Sequence, residues 1–157
     1  MPAILFVCTA NICRSPMASA MFKEMLRENQ ISEQWQVESA GTWALEDQAA
    51  ADGSQTVMSE RGLDISNHRA QSVSEELLQS FDLILTMERG HDEALRTEFP
   101  EIANRVYLLS EMANQKGNID DPYGGPASGY EDTAEEIEEL LKVGYEKILQ
   151  LVSAENE

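Results

Sequence analysis

Ala3-Ile4-Leu5-Phe6-Val7 is an uninterrupted apolar run, and Cys8-Thr9-Ala10-Asn11-Ile12-Cys13-Arg14-Ser15-Pro16 follows it without a gap. Apolar residues rich in branched side chains, with no polar alternation, predict a strand buried on both faces, as in a parallel sheet. Ser15 is a good N-cap and Pro16 suits the first helical position, so a helix is expected to open there. Strand, short loop and helix N-terminus in that order aim backbone N–H groups and a helix dipole at one point. That is the geometry that binds phosphate, and it commits the chain to an α/β fold.

The same loop carries a nucleophile. Cys8 is placed at the floor of the cradle, where the N–H groups, the helix dipole, Arg14 and the Ser15 hydroxyl all favour a thiolate. Arg14 can add a bidentate fork to two phosphate oxygens. The competing reading, a structural cysteine beside a surface arginine, does not account for the placement of both between a buried strand and a capped helix.

Along the rest of the chain, strands alternate with helices. A first helix is expected to about Asn29, from Ala18, Met21, Phe22, Met25 and Leu26 at helical spacing. A short strand spans Gln34 to Glu38 and runs into Ser39-Ala40-Gly41-Thr42, residues small enough to lie close to another loop. Gln55 to Arg61 reads as a helix stopped by Gly62, and Ser74 opens another. Asp82 to Met87 is the best middle strand, Glu88 to Leu95 a helix with His91 on its exposed side, and Arg105 to Leu109 a fourth strand. Residues 110 to 130 form a long connection, the kind that is functional in a compact domain. A last helix begins with Glu135, Glu136, Glu138 and Glu139, where the dipole favours acids. The pattern predicts a single doubly wound domain over residues 1–157: a central four-stranded parallel sheet flanked by helices, with the phosphate-binding loop between the first strand and the first helix.

Charge and cysteine content narrow the function classes. With 29 acidic against 11 basic side chains the net charge is −18, which argues against nucleic acid and anionic membranes as partners. A phosphate site here must be locally basic. The only two cysteines both lie in the loop, so neither a disulfide framework nor a metal-binding Cys/His cluster is expected, and a reducing cytoplasm fits. No apolar run reaches the ~18 residues of a membrane span, and no leader-like segment is seen.

Displacing an alkoxide or phenolate from phosphorus also needs a proton donor. Asp120-Asp121-Pro122-Tyr123, in the long connection, offers one. Pro122 biases Asp121 to extended backbone. An Asp-Pro pair alone is more often a turn; the missing acid gives it weight. Val7 to Pro16, Phe81 to Met87 and Asp121-Pro122-Tyr123 together resemble the low-molecular-weight protein tyrosine phosphatase family over essentially the whole chain.

The resemblance implies that Cys8 forms a phosphocysteine intermediate and that Arg14 and the amides of Thr9, Ala10, Asn11, Ile12, Cys13, Arg14 and Ser15 hold the phosphoryl oxygens. Asp121 is implied as general acid and then base, without metal or cofactor. Substrates would be phosphotyrosine-containing proteins or peptides, with inorganic phosphate as product. Asn11, Ser15, Ser39 and His68 correspond to a network that props the loop; the bland alternative for His68 is a surface histidine. The cleft walls fall on Ile12, Trp43, Leu45 and Tyr123, although Gly124 replaces a second tyrosine and Trp43 could equally be a packed side chain.

Other readings stay open. An arsenate reductase on the same scaffold needs cysteines near mid-chain, and none are present. A protein-arginine phosphatase carries a threonine where this chain has Ile12. A non-hydrolytic phosphocysteine carrier or phosphate-binding module would have no use for Asp121. Cys13, five residues from Cys8, is either a small buried hydrophobe or a partner that captures oxidised Cys8 as a disulfide.

Overall fold

The computed structural model describes residues 1–155. Strand β1 (Ala3–Cys8) is buried along its whole length. Its side chains alternate between two cores: Ile4, Phe6 and Cys8 face one, Ala3, Leu5 and Val7 the other. Helix α1 (Arg14–Glu28) returns over the first face and leads to strand β2 (Gln36–Gly41). Helices α2 (Asp52–Glu60) and α3 (Glu75–Gln79) precede strand β3 (Leu83–Thr86), helix α4 (Arg89–Glu98) and strand β4 (Val106–Leu108). The long helix α5 (Ala127–Glu155) closes the fold.

The sheet is parallel, in the order β2-β1-β3-β4, so β1 is central and its carboxyl end opens beside the strand-order reversal where α/β folds bind ligands. Phe22 of α1 ties the first core together, meeting Phe6, Trp35 and Tyr145 edge-on or tilted at centroid distances of 5.8, 5.7 and 6.0 Å. Leu78, Leu95 and Ile102 cover the opposite face. Among the described residues, no helix is long and apolar enough to cross a membrane.

Several boundaries differ from the sequence expectation, each for a physical reason. Helix α1 begins at Arg14 behind Cys13, with no side-chain cap, because the Ser15 hydroxyl is engaged inside the loop. Pro16 therefore sits at the third helical position, still within the turn whose N–H groups lack helical acceptors. Strand β2 runs to Gly41, since pairing with β1 carries it through Ser39 and Ala40, while Ser32–Gln34 forms a 3₁₀ turn. A 3₁₀ turn at Leu109–Ala113, ended by Asn114 at φ 61°, and the early start of α5 at Ala127 shorten the long connection. The Glu135–Glu139 run consequently lies mid-helix. Gly62, at φ 77°, does follow the end of α2.

Gly41 is where the sheet meets the loop. A Cβ there would lie 2.4 Å from the Thr9 carbonyl oxygen, a contact real side chains do not make. Gly41→Ala is expected to cost about 1–3 kcal/mol of stability and to lower phosphate affinity by displacing the Thr9 peptide, as read by urea denaturation and phosphate titration of the same protein.

Candidate active site

The loop between β1 and α1 is held from outside by its carbonyl groups. The Cys8 and Thr9 carbonyls accept from the N–H groups of Thr42 and Trp43, both at 2.9 Å, and the Ile12 carbonyl accepts from Ala51 N–H at 2.9 Å. The Asn11 carbonyl accepts from His68 Nε2 at 2.6 Å, and the Cys13 carbonyl from the Ser54 hydroxyl at 3.3 Å. In a trans peptide C=O and N–H point opposite ways, so carbonyls tied outward turn the following amides inward. The amides of Thr9, Ala10, Ile12, Cys13 and Arg14 thus face the bowl, together with the N-terminus of the 15-residue α1.

Side chains fix this curl. Asn11 adopts φ 60°, in the left-handed region, and both polar atoms of its side chain are used. Its Nδ2 donates to the hydroxyls of Ser15 (2.8 Å) and Ser39 (2.9 Å), and its Oδ1 accepts from Gln71 N–H (3.0 Å). Having accepted from Asn11, the Ser15 hydroxyl can turn its own proton to Cys8 Sγ, 3.0 Å away; the Ala40 carbonyl is farther, at 3.5 Å. Burial, helped by the nearby Arg69 and Lys23 cations, pushes the His68 imidazole below its ordinary range against its bond to Asn11, which favours a neutral ring with the proton on Nε2. The structure therefore joins Asn11, Ser15, Ser39 and His68, and adds Gln71, whose side-chain amide also donates to the Ser39 carbonyl at 2.9 Å.

Arg14 is 1% exposed and among the largest fully buried side chains. Its NH1 donates to Glu88 Oε2 at 2.6 Å and to the Ile119 carbonyl at 2.7 Å. Its NH2 lies 3.5 Å from Thr9 Oγ1 and 3.6 Å from Asp121 Oδ2. Its Nε has no protein acceptor among the described residues. One edge of the guanidinium is thus held by the scaffold, and the donors on the other remain for an oxyanion.

Cys8, Thr9, Ile12, Cys13, Arg14, Trp43, Leu45, Asp121 and Tyr123 line one cleft of about 310 Å³. Trp43, Leu45 and Tyr123 are well exposed at its rim, whereas Ile12 is buried in its wall. Asp121 reaches the cleft on a loop pinned by Ile119, whose N–H donates to the Met87 carbonyl at 2.9 Å. A larger groove of about 610 Å³ runs along α1 past Lys23, Trp35 and His68, but neither cysteine lines it.

A thiol, a cradle of inward amides and a carboxylate share one cleft. The chain matches the family model described as "Low molecular weight phosphotyrosine protein phosphatase" over residues 3–154. It belongs to that family. It is 35% identical to a protein-arginine-phosphatase of Bacillus subtilis over 88% of this chain and 91% of that one. It is 36% identical to the probable low molecular weight protein-tyrosine-phosphatase EpsP of Ralstonia nicotianae, over 86% and 88%. The fold matches a solved low molecular weight protein tyrosine phosphatase from T. tengcongensis with a TM-score of 0.88 at 38% identity, covering 94% and 99% of the two chains. The protein is accordingly a cysteine-dependent phosphatase.

Within this family fold, four residues besides Gln71 matter that sequence reasoning missed or misplaced. Glu88 and Ile119 hold Arg14 from 74 and 105 positions away, with no local pattern to mark them. His91, expected on an exposed helix face, is 7% exposed, with Nε2 2.8 Å from Thr9 Oγ1. Its residue type hides this: Leu95 on the same helix packs in the apolar core, while His91 reaches the loop at its edge. Tyr130, on the first turn of α5, accepts a weak 3.9 Å bond from Cys13 Sγ.

That last pair has a pH consequence. Burial pushes the Cys13 thiol up to about 11 and the Tyr130 phenol up to about 12. Folding therefore favours the protonated groups, and the unfolded chain releases these protons first. Their stabilising contribution is complete below pH 9.0, the ordinary thiol value, and is lost as pH rises through about 11. Melting temperatures measured from pH 8 to 11 should fall, and fall less steeply in Cys13→Ala than in the parent.

Proposed function

We propose that this phosphatase hydrolyses phosphotyrosine in proteins or peptides through a phosphocysteine intermediate. Cys8 Sγ attacks phosphorus while the inward amides and the free edge of Arg14 hold the three equatorial oxygens. Asp121 gives its proton to the departing phenolate oxygen. In the second step the Asp121 carboxylate takes a proton from water, the resulting hydroxide displaces the thiolate from phosphorus, and inorganic phosphate leaves. The chain supplies every group in this sequence, so no metal or cofactor enters the scheme. A solved relative, the YwlE arginine phosphatase, is described with a phosphorylated active-site serine in a mutant, which supports phosphoryl transfer to the nucleophile's position.

The observation that carries the tyrosine reading is the cleft wall. Ile12, Trp43, Leu45 and Tyr123 offer apolar and aromatic surface to a phenyl ring. Phosphoarginine is the second reading, favoured by the 35% identity to a protein-arginine-phosphatase and by Asp121, which could pair with a guanidinium. Ile12 opposes it, because a methyl-lined wall gives a buried guanidinium no acceptor. Two buried free thiols fit a reducing, cytoplasmic setting.

Assayed with p-nitrophenyl phosphate and with phosphotyrosine and phosphoarginine peptides, the parent should prefer phosphotyrosine. Cys8→Ser should reduce turnover to background, and Asp121→Asn should lower kcat by about 10²-fold or more while phosphate binding persists. Ile12→Thr should move the kcat/KM ratio toward phosphoarginine by about tenfold or more. Full activity in Cys8→Ser would refute the mechanism, and a parent preference for phosphoarginine would refute the substrate. Cys13 shares the cleft with Cys8, and we infer that it condenses with a peroxide-generated Cys8 sulfenic acid, giving a disulfide and water. Peptide mapping of peroxide-treated protein should find the crosslink; its absence rejects this role.

A further inference from the structure

His91 is a buried titratable side chain beside the nucleophile that the mechanism above does not use. It projects from the first turn of α4, and its Nδ1 is buried without a partner among the described residues. Its Nε2 lies 2.8 Å from Thr9 Oγ1, which also stands 3.5 Å from Arg14 NH2. Arg14 can only donate, so the Thr9 oxygen is its acceptor, and the Thr9 hydroxyl proton needs an acceptor of its own. His91 Nε2 is within reach and can serve only when unprotonated. In the neutral tautomer that carries its proton on Nδ1, Nε2 makes that bond.

The charged groups facing His91 come from three segments: Arg14 from α1, Glu88 from the turn before α4, and Asp121 from the distant loop. Burial, and then the Arg14 cation, push the imidazole below its ordinary range, with Glu88 and Asp121 opposing. Glu88 Oε2 is the shared element. It is 2.6 Å from Arg14 NH1 and 3.7 Å from His91 Nε2.

We propose that neutral His91 is a positioning residue for Arg14: it accepts the Thr9 hydroxyl, fixes Thr9 as an acceptor for the guanidinium, and releases that hold when it takes a proton from solvent. Protonated Nε2 can no longer accept from Thr9. It competes instead for the Glu88 oxygen that anchors Arg14, and it places a second cation beside the guanidinium. Both effects loosen the fork that must meet the phosphoryl oxygens, and misplacement by about 1 Å can cost 10²-fold in rate. His91 is thus an acid-side off switch for the cradle.

The inference rests on the phosphatase reading, so binding of inorganic phosphate and turnover of p-nitrophenyl phosphate are measured separately. A parent that binds phosphate without turnover would reject the hydrolytic reading and leave His91 open to the binding test. Thr9→Val and His91→Ala should each weaken phosphate binding at pH 7 by about fivefold, one side-chain hydrogen bond, and the double variant should be no worse than the poorer single. Thr9→Ser and His91→Gln should recover most of the loss. Between pH 7 and 5 the parent should lose phosphate affinity in step with His91 protonation, followed by imidazole ¹⁵N NMR, and His91→Gln should lack that component. If a variant fails to fold, the parent's NMR spectrum still decides: an unprotonated Nε2 at pH 7 supports the proposal. A protonated Nε2, additive single effects, or an unchanged acid limb in His91→Gln would overturn it.

Discussion

Everything at this site depends on turning five backbone carbonyls away from the space they enclose. An isolated peptide cannot hold such a curl, because clustered amides repel and Asn11 must sit at φ 60°. The protein meets the carbonyls from outside with Thr42, Trp43, Ala51, Ser54 and His68. Those partners come from the segment that leaves β2, wraps the loop, forms α2 and returns toward β3. That wrap requires close approach, which is why Gly41 abuts the Thr9 carbonyl and why small residues end β2. The second strand and its sequel are shaped by the first loop.

Arg14 poses the opposite problem, a charge removed from water. A buried guanidinium is tolerable only when its donors are met and its charge balanced. Glu88 and the Ile119 carbonyl do this on one edge. Glu88 also offsets most of the site's formal positive charge, so attraction for phosphate comes chiefly from directed amides, the α1 dipole and the remaining guanidinium donors. These act at hydrogen-bond range. On a chain of net charge −18 they select an anion that fits the bowl while the surrounding surface repels anions that do not.

What could be read from sequence follows a simple physical division. Cys8, the loop, Arg14 and the start of α1 are contiguous, so spacing alone places them together, and the burial of β1 on both faces needs only its apolar run. Asn11, Ser15, Ser39 and His68 were reachable by family resemblance, and the structure bonds them together. Glu88, Ile119, Gln71 and His91 were not, since each acts across 60 or more positions, Ile119 and Gln71 through backbone groups that any residue carries, Glu88 and His91 as residue types common on surfaces. Ser15 misled for a related reason: a good N-cap residue has an oxygen that the loop claims first. The acidic run in α5 marked a helix but not its start, because Ala127 to Tyr130 carries no cap signal strong enough to outweigh it.

Ile119 connects the two halves of the chemistry. Its N–H extends the line of β3 by bonding the Met87 carbonyl, its carbonyl receives Arg14, and its side chain is 1% exposed. Asp121 stands only two residues farther on, so the carboxylate is placed relative to the cradle by the same peptide that anchors the arginine. Bending the loop at Asp121 would disturb Arg14, and a shift of Arg14 would pull on Ile119. Beyond Asp121 that constraint ends: Tyr123 is 64% exposed, and Trp43 and Leu45 across the rim are similarly open. Cys8, Arg14 and the peptide before Asp121 are therefore held by buried backbone, and so is Ile12 in the cleft wall, whereas the rim side chains Trp43, Leu45 and Tyr123 stand on exposed loop, where they can change without disturbing the cradle.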